Sequence, residues 1–159
     1  MAKRIFISFQ HNDRMKAKGF NLLRYSKYVD VEFVGRHLLD PVNSSNESYI
    51  RSKIMDQLNG TSVTVVLVGK ETHNSEWVKW EIEKSLEKKS PNGILAIRLG
   101  DDVKLPDGSP VGDALKEAGA EIMDWKPHEF ESAIERAFAA AGRIPKVRTA
   151  TQTGRSCQR

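Results

Sequence analysis

A chain of 159 residues with 39% hydrophobic and 29% charged residues reads as one water-soluble domain with one core. No apolar run approaches the roughly 20 residues that a membrane span needs, and the start Met-Ala-Lys-Arg-Ile-Phe-Ile-Ser lacks the apolar stretch of a signal peptide, so neither is expected. The net charge of +4 is concentrated at one end: residues 142–159 hold Arg143, Lys146, Arg148, Arg155 and Arg159 and no acid, which leaves residues 1–141 slightly negative and argues against a basic nucleic-acid surface on the folded part.

Lys3 to Phe9, KRIFISF, predicts a first strand, and Gln10-His11-Asn12-Asp13 a polar turn. A helix is expected over 13–26, then a short strand Val31 to Val34. Gly35 to Ser48 is a long connection in which Pro41 bars regular structure. Ser44-x-x-Glu47 has the capping-box pattern before a helix Ser48 to Leu58, whose expected buried face is Tyr49, Ile50, Ile54 and Leu58. Val63 to Val68 is a β-branched run without charge, as in a strand buried on both faces of a parallel sheet. After Gly69, Lys70 to Asn74 predicts a polar loop, and Asn74 or Ser75 a helix cap. In the helix that follows, Val78, Ile82, Ser85 and Leu86 share one face, with Trp77 and Glu81 neighbours along its edge. Ile94 to Leu99 is a fourth strand, 100–112 a loop, Asp113 to Ala118 a short helix, and Glu121 to Trp125 a fifth strand. A last helix runs from Pro127 to about Ala141 on a stripe of Phe130, Ile134, Ala137 and Phe138.

Strand and helix alternate about five times, which predicts an α/β domain over 1–141: a sheet of about five mostly parallel strands with helices on both faces. Residues 142–159 read as a basic, disordered tail. The single cysteine, Cys157, cannot form an internal disulfide, and a reducing, cytoplasmic setting is the expectation.

Several chemistries find no support. There is no GxxxxGK[ST] or GxGxxG phosphate loop and no GxSxG elbow. The acidic cluster of a phosphoacceptor is missing, as is the Ser/Thr-rich loop of an FMN site. His11, His37, His73 and His128 have no paired metal-ligand spacing, so no metal is expected, and Asp101-Asp102 reads as a solvated loop. What remains is Glu81, a carboxylate on a helix just after a central strand, beside the Trp77 indole. One carboxylate suffices for cleavage at an anomeric carbon, where it stabilises an oxocarbenium-like transition state. In NAD the nicotinamide leaves as a neutral molecule, so neither a general acid nor a metal is required, and an aromatic wall suits the pyridinium. The plainer reading pairs Glu81 with Ser85 or Lys84 on a solvent face and leaves Trp77 as core.

Phe6-Ile7-Ser8-Phe9 resembles the first-strand signature of TIR domains, and Ser75-x-Trp77-x-x-x-Glu81 resembles their S-x-W-x-x-x-E signature. With His11-x-Asp13, Pro41-Val42-x-Ser44, Trp77-Val78-x-Trp80-Glu81-Ile82, Ile97-Arg98-Leu99 and Ala118-Gly119-Ala120-Glu121, the chain is similar over Lys3 to about Ala141 to the TIR-like group of the signal-producing Thoeris anti-phage subunits. The resemblance implies a flavodoxin-like fold, NAD as substrate rather than cofactor, and a cyclic ADP-ribose-type signal that reaches a partner effector. It further implies a phage-derived trigger and self-association. By motif position Glu81 would be catalytic, Phe9 and His11 would lie at the pocket on the first loop, Arg36 and Ser44 on the long loop beside it, and Trp77 on its wall. The first loop, Gln10-His11-Asn12, lacks the arginine of some NAD-cleaving TIR domains. The rival expectation is a non-catalytic TIR adaptor that acts by self-association through the 35–48 loop.

Overall fold

The described residues form five parallel strands: β1 (Lys3–Phe9), β2 (Val31–Phe33), β3 (Val63–Val68), β4 (Gly93–Arg98) and β5 (Glu121–Asp124), in the order β2-β1-β3-β4-β5. The computed structural model describes residues 3–10, 13, 31–33 and 47–142. The expected helix beyond Asp13, most of the 35–48 connection and the tail from 143 lie outside them. β1 and β3 pair in register from Ile5 opposite Val63 to Phe9 opposite Leu67, and β3 pairs with β4 from Val63 opposite Gly93 to Val68 opposite Arg98. β3 is buried at every position, which is why its sequence carries no alternation of polar residues.

Among the described residues four helices cover the two faces: α1 (Glu47–Asn59), α2 (Glu76–Glu87), α3 (Pro110–Glu117) and α4 (Pro127–Ala140). The two-residue period of the strands sorts the core. Ile5, Ile7, Phe9, Val63, Val65, Leu67, Leu95 and Ile97 meet Phe130, Ala133, Ile134 and Ala137 of α4. Gly93 lets α4 come close, since a Cβ there would lie 2.0 Å from the carbonyl oxygen of Ala137. On the opposite face Val66, Val68, Ile94 and Ala96 pack against α2 and α3, and Phe6 packs against Ile54 and Leu58 of α1.

Some expectations are corrected. Tyr49 is 48% exposed and not part of the buried face of α1, where the longer-range fit to Phe6 is made by Ile54 and Leu58. The short helix begins at Pro110, not Asp113: Ser109 caps it by accepting from the Gly112 backbone N–H, and Pro110 sits in the first turn, where a missing N–H does no harm. The 70–74 loop contains a 3-10 turn, Thr72–Asn74. Among the described residues no helix is long and apolar enough to cross a membrane.

Candidate active site

The order β2-β1-β3-β4-β5 reverses direction between β1 and β3, and in open parallel sheets ligands bind at the carboxyl ends of the strands beside that reversal. Three segments converge there. β1 ends in Ser8 and Phe9 and leads to Asp13; β3 ends at Val68 and leads through Gly69 to Thr72; α2 then starts at the Ser75 cap, whose hydroxyl accepts from the Val78 N–H.

At the strand tips the two loops interlock. The Thr72 hydroxyl accepts from the Gly69 N–H at 2.8 Å and donates to Asp13 Oδ2 at 3.2 Å. The Asp13 carboxylate occupies the space beside Gly69 that any side chain would need. Burial pushes the Asp13 carboxyl above its ordinary value, and the hydrogen bond from Thr72 pulls part of that shift back.

Below this contact lies Glu81, fully buried. Its Oε1 accepts from the Ser8 hydroxyl at 2.6 Å, a short bond of the kind hydroxyls make to carboxylates. Ser8 is itself fully buried and sits opposite Val66 of β3, so the carboxylate is held beneath the strand tips, between α2 and the sheet. The helical period places Glu81 toward β1, while Val78 and Ile82 turn toward β3 and β4. The alternative pairing on a solvent face does not occur. Lys84 bonds Glu87, and the Ser85 hydroxyl donates to the Glu81 backbone oxygen and shares a hydrogen bond with Thr64.

Trp77 and Trp80, on the side of α2 that meets α1, are partly buried and pack edge to face with ring centroids 5.7 Å apart. The Arg51 guanidinium of α1 stands over both rings, 4.9 Å from the Trp77 centroid and 4.6 Å from that of Trp80. One face of the α2 aromatic pair is thus already taken by a cation of the same chain.

Of the residues singled out by sequence, Glu81 and Trp77 both lie on α2, Glu81 bonded to Ser8 of β1 and Trp77 packed with Trp80 under Arg51 of α1. Phe9 packs in the α4-side core, on the other face of the sheet from Ser8, because neighbouring strand residues point to opposite faces. His11, Arg36 and Ser44 lie outside the described residues. Sequence reasoning passed over Ser8, whose signal was a lone hydroxyl among Phe6, Ile7 and Phe9. It also passed over Arg51 and the Asp13–Thr72 contact, neither of which has a local signal. Among the described residues no group of three or more His, Cys, Asp or Glu side chains could hold a metal.

Comparison with known proteins adds the following. Residues 6–104 match the family model described as Thoeris protein ThsB, TIR-like domain. The chain is 33% identical over 104 residues to "Putative cyclic ADP-D-ribose synthase ThsB1" of Bacillus cereus (strain MSX-D12), covering 62% of this chain and 53% of that protein. It thus spans about half the length of the curated relative it matches. Among solved structures, the TIR domains of the activated Roq1 resistosome directly recognizing the pathogen effector XopQ align over 98% of this chain and 95% of theirs, with a TM-score of 0.45 and 15% identity. The general stress protein 14 of Treponema denticola in complex with FMN aligns over 89% of this chain and 96% of its own, with a TM-score of 0.37 and 9% identity.

Proposed function

The chain belongs to the TIR-like domain family of the Thoeris protein ThsB, and from that membership we propose that it consumes NAD, cleaving the nicotinamide–ribose bond and converting the ADP-ribose part into a cyclic ADP-ribose-type signal. The signal activates a partner effector in anti-phage defence, and a phage-derived trigger switches synthesis on. The observation that carries the reading is the burial of Glu81 beside Ser8, under the carboxyl ends of β1 and β3.

The chemistry follows from that placement. As the C–N bond to nicotinamide lengthens, positive charge moves from the pyridinium to the ribose anomeric carbon. An anionic Glu81 in water-poor surroundings stabilises that charge far more than a carboxylate in bulk water does. The nicotinamide departs neutral, so the reaction needs no acid at the leaving group. The cation is then captured by a nucleophile of the same molecule, which closes the ring, or by water, which yields ADP-ribose. The family resemblance assigns Trp77 to the wall and His11, Arg36 and Ser44 to substrate contacts, whereas the Phe9 ring is packed in the α4-side core, away from Ser8 and Glu81.

The test is nicotinamide release, followed by mass spectrometry of nucleotides from triggered cells. Glu81→Gln and Glu81→Ala should abolish the release, and the product should be an isomer of cyclic ADP-ribose. Full turnover by either variant would refute the assignment of Glu81. A second reading, an adaptor that self-associates without catalysis, draws on the same contact: the Ser8–Glu81 bond could serve only to tie α2 to β1. An unchanged NAD pool and no new nucleotide during phage challenge would favour it.

A further inference from the structure

We infer that Ser8 is the positioning residue of the reaction proposed above, fixing the Glu81 carboxylate in the orientation that faces the developing cation. The inference rests on that reading of Glu81 and extends it to a residue on a different element. A glutamate side chain has three rotatable bonds, and holding it in one geometry has an entropic cost that a second anchor must offset. Glu81 is anchored at its backbone by α2, which runs from the Ser75 cap and meets the sheet through Val78 and Ile82. At its far end the anchor is the Ser8 hydroxyl at 2.6 Å from Oε1.

The anchor is rigid for reasons visible in the fold. Ser8 lies within β1, one residue from the strand's end, and pairs with Val66 of the fully buried β3. Its neighbours Ile7 and Phe9 are locked in the α4-side core. The hydroxyl therefore cannot follow a wandering carboxylate; the carboxylate must come to it. A positioning group on a strand is held more tightly than one on a loop. Placement errors of about an ångström in a reacting group lower rates on the order of a hundredfold.

The helix has its own registration device on the same side. Ser85, one turn after Glu81, shares a hydrogen bond with Thr64 of β3 and donates to the Glu81 carbonyl oxygen. Thr64 and Ser8 lie on the same face of adjacent strands, so α2 is indexed to the sheet at two points, one by the Ser85 hydroxyl and one by the Glu81 carboxylate.

The experiment compares the parent chain with Ser8→Ala, Ser8→Thr and Ser8→Cys in steady-state NAD cleavage under triggering conditions, with Glu81→Gln as the reference for loss of the carboxylate. In parallel, the carboxyl carbon-13 resonance of Glu81, identified by its disappearance in Glu81→Gln, is followed in each variant. Ser8→Ala should lower kcat about 10- to 100-fold with KM within about threefold, and should displace the Glu81 resonance. Ser8→Thr, which keeps the hydroxyl, should restore kcat to within about fivefold. If Ser8→Ala does not fold, Ser8→Cys, close in size and a weak donor, is held to the same loss. A Ser8→Ala (or, in its place, Ser8→Cys) kcat within twofold of the parent, while Glu81→Gln is inactive, overturns the positioning role and leaves the function standing. A fully active Glu81→Gln overturns the function and this inference with it.

Discussion

Gly69 and Asp13 share one space: a Cβ on Gly69 would sit 2.1 Å from Asp13 Oδ1 and 2.5 Å from its Cγ, inside any allowed contact. The Asp13 carboxylate is thereby set directly against the backbone of Gly69, at the end of β3. Gly69→Ala must displace the Asp13 carboxylate and with it the hydrogen bond from Thr72, and overpacking of this kind costs about 1–3 kcal/mol. Its melting temperature should fall by several degrees. Asp13→Gly in the same chain should recover most of that loss, because it removes the atoms that clash. Additive losses in the double variant would show that the two loops do not compete for the space.

Asp13 also titrates in a telling way. Its folded carboxyl is raised above its ordinary value of 3.8, chiefly by burial, so the native state holds the proton more tightly than the unfolded chain does. Stability then falls as pH rises from the unfolded value through the folded one, and the penalty persists at neutral pH. Asp13→Asn, which keeps an oxygen for Thr72, should melt higher than the parent at pH 7, with the gap closing as pH falls below about 4. A lower melting temperature at pH 7 would mean that the charge is favourable where it stands.

Much of this arrangement could be read from the sequence because it depends on local period. β3 announces itself as an uncharged β-branched run, and Val78, Ile82 and Ser85 fall on one face. The burial of Glu81 could not be read so directly. A helical wheel ranks a carboxylate as solvent-facing, and the hydroxyl that receives it inside lies 73 residues earlier in the chain, out of reach of any local pattern. Arg51 was hidden for a related reason, since a cation between Ile50 and Ser52 gives no sign that two indoles await it on another helix. Tyr49 shows the reverse error: its apolar ring suggested core, but α1 presents Ile54 and Leu58 to Phe6 instead. The start of α3 was misplaced because Pro110 was taken as a loop residue, although Ser109 before it supplies the cap.

Arg51 links α1 to α2 through the Trp77 and Trp80 rings. A guanidinium on an aromatic face contributes from about 0.5 to 2 kcal/mol, the upper end when water is excluded. Arg51→Met preserves much of the stem and removes the charge. It should lower stability by about 1 kcal/mol and alter the intrinsic tryptophan fluorescence. Arg51→Lys should recover only part of the loss, because an ammonium lacks the flat surface that covers two rings at once. Equal behaviour of Lys and Arg would assign the contact to charge alone.

A buried polar network is centred on Asn92, 2% exposed at the entry to β4. Its amide donates to the hydroxyls of Thr61 at 2.9 Å and Thr64 at 3.0 Å, and its oxygen accepts from Lys88 Nζ at 2.5 Å. Lys88 follows α2 and also donates to the Thr61 backbone oxygen, so Asn92 joins the end of α2 to the starts of β3 and β4. Through Thr64 the chain of bonds continues to Ser85 and the Glu81 carbonyl. Asn92→Ala removes three side-chain hydrogen bonds, each contributing about 0.5–1.5 kcal/mol, while Thr61, Thr64 and Lys88 each keep another partner. A loss of about 2–4 kcal/mol is therefore expected in denaturant unfolding, with the slope of the transition unchanged. Asn92→Asp should differ in kind: it keeps the acceptor for Lys88 and gains charge there, but loses both donors. It should fall between the parent and Asn92→Ala, and approach Asn92→Ala at high salt only if the ion pair with Lys88 is open to solvent. Ser85→Ala, which cuts one branch and leaves Thr64 bonded to Asn92, should cost less than Asn92→Ala. A larger loss from Ser85→Ala than from Asn92→Ala would move the centre of the network from the strand entry to the helix.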